Sequence, residues 1–305
     1  MDEYAHARPA PVLRPHVAFY SGYRQRGLAP ATHRGLPSPY LTLIFTLDEP
    51  LVIAAHPDPG QAPGRYRSLL GGLHLVPALI SHDGSQSGVQ VAVRPEGCRP
   101  LLGLPAAEVA NLDVDAAAVF GETFVDRVRE RLHFAQDWPA RFAVLDRALG
   151  GRLRDTAGPA PVTHAFHLVN NGVPVSETAE RIGWSARHLT DRFRAELGIR
   201  PKEAARIARF DRARRAVRPG VRIADVAAAH GYADQSHLVR DFRAFAGCTP
   251  SRWLADEFGP GAAFGSAGEF GPAAEFGSAG AFGPGAAFGF AGASGPADEF
   301  GFVQA

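Results

Sequence analysis

The spacing of apolar positions changes along the chain, and the changes mark out its parts. Over residues 1–104 apolar runs are short: LTLIFTL (41–47) precedes Leu51, Val52, Ile53 and Ala54, and SGVQVAVRP (87–95) alternates Val89, Val91 and Val93 onto one face. Asp48-Glu49-Pro50, the stretch 57–64 and Asp83-Gly84 supply turns between these predicted strands. From residue 121 the spacing lengthens. Phe124, Val128 and Leu132 in GETFVDRVRERLHF, then Phe142, Leu145 and Leu149 in ARFAVLDRALGGRL, predict two amphipathic helices stopped at Gly150-Gly151. DTAGPAP (155–161) predicts a linker, and residues 162–257 read as helical throughout. The expected fold is α+β: a β-rich sensor-like, effector or dimerisation domain with trailing helices over 1–155, an all-α domain over 160–257, and a tail over 258–305.

The tail has its own period. Phe-Gly recurs every six residues at Phe258, Phe264, Phe270, Phe276, Phe282, Phe288 and Phe300, with Ser294-Gly295 in the slot that departs. Six residues turn a helix by about 600°, which scatters the rings, and Pro260, Pro272, Pro284 and Pro296 remove strand donors. A disordered low-complexity segment with evenly spaced aromatic stickers is therefore expected.

Composition narrows the class. The 305 residues are 46% apolar and 21% charged, and no run of about 18 apolar residues suggests a membrane span. The opening MDEYAHARPAPVLRPH lacks the basic-then-apolar layout of a secretory signal, so a cytoplasmic location is expected. Cys98 and Cys248 are too few for a disulfide framework or a four-thiolate zinc site. Net charge is 0 over 1–159, +5 over 160–257 and −4 over 258–305, so the helical region is the part suited to a polyanion.

Within that region one half resembles the other. VSETAERIGWSARHLTDRFRAELGIRP sets Ala179, Gly183, Leu189, Phe193, Gly198 and Pro201. IADVAAAHGYADQSHLVRDFRAFAGCTP sets Ala227, Gly231, Leu238, Phe242, Gly247 and Pro250, with one extra residue between Gly231 and Leu238. Each half has the ingredients of a helix-turn-helix: a glycine free to take positive φ at the corner, an aromatic after it (Trp184, Tyr232), a capping Ser185 or Asp234, and alanines that let the helices approach. The second helix of each half has an apolar edge (Leu189, Phe193, Leu197; Leu238, Phe242, Phe245). Its opposite edge carries Arg187, Thr190, Asp191 and Arg194 in one unit, and Gln235, Ser236, Val239, Arg240 and Arg243 in the other. Pro201 begins a connecting helix, running through roughly 202–217 and about 24 Å long, that would hold the units apart, and its Arg206, Arg209, Arg212, Arg214, Arg215 and Arg218 could meet phosphates where they face outward.

These segments, with GCTPSRW after the second, resemble the double helix-turn-helix of AraC/XylS-type transcriptional regulators over about residues 162–256. The resemblance implies two units in adjacent major grooves of double-stranded DNA, and an N-terminal domain that senses a small-molecule effector or mediates homodimerisation; RNA polymerase is a further candidate partner. It implies base reading by Arg187, Thr190, Asp191, Gln235, Ser236 and Arg240, Arg240 first among them, with Arg194, Arg243, Arg209 and Arg215 at phosphates. Asp191 departs from the donor often found at its position: it could accept from cytosine N4, or pair with Arg187 four residues earlier, the reading favoured here. That choice leaves unit two dominating specificity.

The N-terminal half resembles, more loosely, the sensor domains ahead of such regions, through HRGLPSPYLTLIFTLDEPL. His56, His74 and His82 match no metal signature, GSQSG (84–88) has its serines in the wrong slots for a nucleophile elbow, and the chain has too few cysteines for a DNA-repair alkyl acceptor, so neither catalytic residue, metal nor cofactor is expected. The alternative to a sequence-specific regulator is a non-specific DNA-binding or interaction protein that uses its Phe-Gly tail for assembly.

Overall fold

The strand predicted around Val89, Val91 and Val93 has both faces covered, and the reason sets the plan of the N-terminal domain. The computed structural model describes residues 3–258. Ten strands form there: β1 (Glu3–Ala7), β2 (Val17–Arg26), β3 (Ala31–Gly35), β4 (Leu41–Thr46), β5 (Leu51–Ala55), β6 (Gly64–Tyr66), β7 (Ser68–Gly71), β8 (Ala78–His82), β9 (Ser85–Val93) and β10 (Asp113–Asp115). All pair antiparallel, in a six-stranded sheet of order β1-β2-β9-β4-β7-β10 and a four-stranded sheet of order β3-β8-β5-β6. Leu41, Leu43, Phe45, Val89, Val91 and Val93 face the helices; Tyr23, Ile44 and Leu69 face the second sheet, meeting Leu51, Ile53 and Ile80. Gln90, polar in sequence, is buried on that inter-sheet face.

The helices are α1 (Cys98–Leu102), α2 (Ala116–Phe120), α3 (Glu122–Phe134), α4 (Trp138–Gly150), α5 (Ala160–Asn170), α6 (Val175–Ile182), α7 (Ala186–Leu197), α8 (Pro201–Ala216), α9 (Ile223–Ala229), α10 (Gln235–Ala246) and α11 (Pro250–Phe258). In α4, Phe142, Leu145 and Leu149 are buried as the spacing predicts. In α3 the buried stripe is Val125, Val128 and Leu132, while Phe124 stacks on Phe120 at 5.3 Å. The connecting helix begins at Pro201, as expected, because proline suits the first helical position and the Glu203 carboxylate accepts from the Arg200 N–H at 2.7 Å. The β-rich part followed by the helical part agrees with the expected fold class. The Phe-Gly repeat beyond Phe258 lies outside the described residues.

Candidate nucleic-acid interface

Both units form as the residues dictate. In unit one α6 ends at Gly183, left-handed at φ 76°; the Trp184 N–H then donates to the Ala179 carbonyl at 2.9 Å, and the Ser185 hydroxyl accepts from the His188 N–H at 3.2 Å to start α7. In unit two Gly231 has φ 74°, the Tyr232 N–H donates to the Ala227 carbonyl at 3.0 Å, and Asp234 accepts from the His237 N–H at 2.6 Å to start α10. Leu189, Phe193 and Leu197 bury one edge of α7, as Leu238, Phe242 and Phe245 do for α10.

The opposite edges are open. Arg187, Asp191 and Arg194 are exposed on α7, and Gln235, Ser236, Arg240 and Arg243 on α10. Thr190 is half-buried, its hydroxyl donating to the Ala186 carbonyl at 2.8 Å. The expected Arg187–Asp191 ion pair is corrected: it does not form, whereas Glu177–Arg181 on α6 does. The order of charges explains this, since acid before base at a spacing of four is the favoured arrangement and Arg187 precedes Asp191. The Asp191 carboxylate is thus left to solvent or to a partner.

Two arginines expected at phosphates have partners inside the protein. Arg209 donates to Asp241 at 3.4 Å and lies 4.5 Å from the Tyr232 ring centroid; Arg215 pairs with Asp211. Arg206 also donates to Asp241, at 2.8 Å. Burial, followed by the Asp211 charge acting the other way, holds the Arg215 pKa below its ordinary value. Burial, and then Asp241, pushes the Tyr232 hydroxyl up, so it stays protonated. Two features escaped the sequence reading. Asp241 lies beside Phe242 on the buried side of α10, an acid facing the arginines of α8, which was its available signal. His188 and His237 stand edge-on to Trp184 and Tyr232, at 4.7 Å and 5.0 Å, and brace the two corners alike.

The N-terminal histidines have separate roles. His56 Nδ1 lies 2.8 Å from Asp113 Oδ2, His74 Nδ1 lies 2.6 Å from the Val76 carbonyl, and His82 accepts from the Gly84 N–H at 3.2 Å. No group of three His, Cys, Asp or Glu able to hold a metal occurs among the described residues, and no helix there is long and apolar enough to cross a membrane. A cleft of about 330 Å³ opens at one end of the two sheets, lined in part by Tyr23, Thr46, Glu49, Arg65, Ser81 and His82.

Residues 178–256 match the helix-turn-helix domain family, and residues 5–115 match a domain of unknown function, DUF6597. The chain is 35% identical over 72 residues to the uncharacterized HTH-type transcriptional regulator YbfI of Bacillus subtilis (strain 168), a match covering 24% of this chain and 26% of that protein. A single-residue variant of apo ToxT from Vibrio cholerae strain SCE256 aligns over 77% of this chain and 96% of its own, at 11% identity and a TM-score of 0.49. The C-terminal domain of AraT, a response regulator from Geobacillus stearothermophilus, aligns over 31% and 83%, at 20% identity and a TM-score of 0.29.

Proposed function

We propose, from the match of residues 178–256 to the helix-turn-helix domain family and the resemblance to AraC/XylS-type regulators, that the chain is a sequence-specific DNA-binding transcriptional regulator whose two units read adjacent major grooves of double-stranded DNA. The observation that carries this reading is the pair of matched recognition helices, each buried along one edge and open along the other with polar side chains. Arg240 and Arg187 suit guanine, Gln235 suits adenine, Ser236 and Thr190 are adaptable, and Asp191, free of Arg187, can accept from cytosine N4. Arg194 and Arg243, exposed on the same edges, are proposed at phosphates, as are Arg209 and Arg215, whose guanidiniums also hold Asp241 and Asp211 within the protein. Modulation by a small molecule belongs to the same reading, with the inter-sheet cleft as its site.

Selection of the full-length protein on a randomised duplex library at near-physiological salt tests this. Convergence on two half-sites about 10 base pairs apart is expected. Binding that only fades as salt rises, without convergence, would favour the non-specific alternative.

A further inference from the structure

Recognition helices α7 and α10 hold equivalent places in the two units but are seated differently. Counted back from Gly198 and Gly247, Arg192 corresponds to Asp241 and Glu196 to Phe245. In unit two both residues turn to α8. Asp241, with a side chain only 3% exposed, takes Arg206 and Arg209, and Phe245 packs on Phe210 at 5.1 Å with Arg206 over its ring. These contacts of α10 lie within the helical region, and the N-terminal domain reaches unit two one helix further on, where Arg34 donates to Asp256 of α11 at 2.8 Å.

In unit one Arg192 is exposed and Glu196 turns to the N-terminal domain. Arg99 of α1 donates from Nε to Glu196 Oε1 at 2.7 Å and from Nη2 to Oε2 at 2.8 Å. The linker closes over this pair: the Thr156 hydroxyl donates to the Arg99 carbonyl at 3.1 Å, and a Cβ on Gly158 would stand 3.0 Å from Glu196 Oε1. Two residues on, Gly198 at φ 77° abuts the same domain so closely that a Cβ would fall 2.2 Å from the Ala110 Cβ. Its counterpart Gly247 is looser, with Pro77 Cγ 3.9 Å from the same added atom.

We propose that the Arg99–Glu196 pair makes α7, and not α10, follow the N-terminal domain, so that one half-site is read conditionally and the other unconditionally. The inference rests on the DNA-reading function proposed above. A two-pronged arginine–carboxylate contact fixes direction as well as distance, and across a domain boundary it is lost when the domains shift. The Asp241 contacts lie within the helical region and survive such a shift. Arg99 and Glu196 are positioning residues, since neither is placed on the open edge of α7.

The test uses the full chain and two readouts. In free protein, Glu196→Gln should speed amide exchange across α7 while α10 keeps its wild-type rates; equal change in both helices, or in neither, overturns the proposal whatever the protein does with DNA. On duplexes with one half-site scrambled at a time, the same variant should shift affinity for the unit-one half-site by about 3- to 30-fold and for the other by less than about twofold. Arg99→Glu combined with Glu196→Arg should restore both readouts. Failure of that rescue would assign the effect to Glu196 alone and sink the pair. If selection yields no half-sites at all, the DNA-reading function fails while the exchange result still reports on the coupling.

Discussion

Arg240 stands on the exposed edge of α10 with no ion pair among the described residues, so its guanidinium is free for a base edge. Arg240→Ala is expected to cost about 1–3 kcal/mol of preference for the selected site and to leave binding to random duplex nearly intact, as competition titrations would show. An equal loss on both duplexes would make it a phosphate contact. A second residue-scale effect lies in the N-terminal domain, on β3. Burial, reinforced by the nearby His82, pushes the His33 pKa down to about 3 from the ordinary 6.5. Below pH 6.5 the unfolded chain takes up a proton that the native His33 refuses, so this contribution is complete above 6.5 and is lost as pH falls toward 3, by at most about 1.4 kcal/mol per pH unit. Urea denaturation from pH 7 down to pH 5 should therefore show falling stability, and His33→Phe should flatten that slope.

The elements are set by their ends as much as by their faces. Gly183 and Gly198 are both left-handed, but a Cβ on Gly183 meets nothing within 4 Å whereas one on Gly198 strikes Ala110. Gly183→Ala should accordingly cost about 1–2 kcal/mol, the conformational penalty alone. Gly198→Ala should cost clearly more, and comparing the two denaturation midpoints checks the difference. Element by element, the sequence disclosed those whose burial is one-sided. Helix α4 and the recognition helices show a single apolar stripe, and their caps at Asp137, Ser185 and Asp234 form. Strand β2 was not legible, because Tyr20 and Tyr23 are buried on opposite faces and Gly22 lies under Trp138, where a Cβ would come within 2.3 Å of the ring. A two-sided strand leaves no alternation to read.

At the scale of the whole molecule, the net charge of −4 over 258–305 and the lack of any base there make the tail a poor ligand for phosphates. Deleting residues 259–305 should leave the melting temperature and DNA affinity essentially unchanged; a large fall in either would show that the tail serves the body. By itself the sequence determined the two helix-turn-helix units, their corners, their caps and the polar side chains left on their open edges. Those depend on spacings of three to six residues, which local backbone geometry converts directly into faces. What only the tertiary structure decided are contacts between residues distant in the chain: Asp241 with Arg206 and Arg209, Glu196 with Arg99, and Ile44 and Tyr23 closing the space between two sheets. The choice of partner for a charge or a buried face follows from which surfaces the folded chain brings together. Periodicity records that a face is buried, and only packing supplies what buries it.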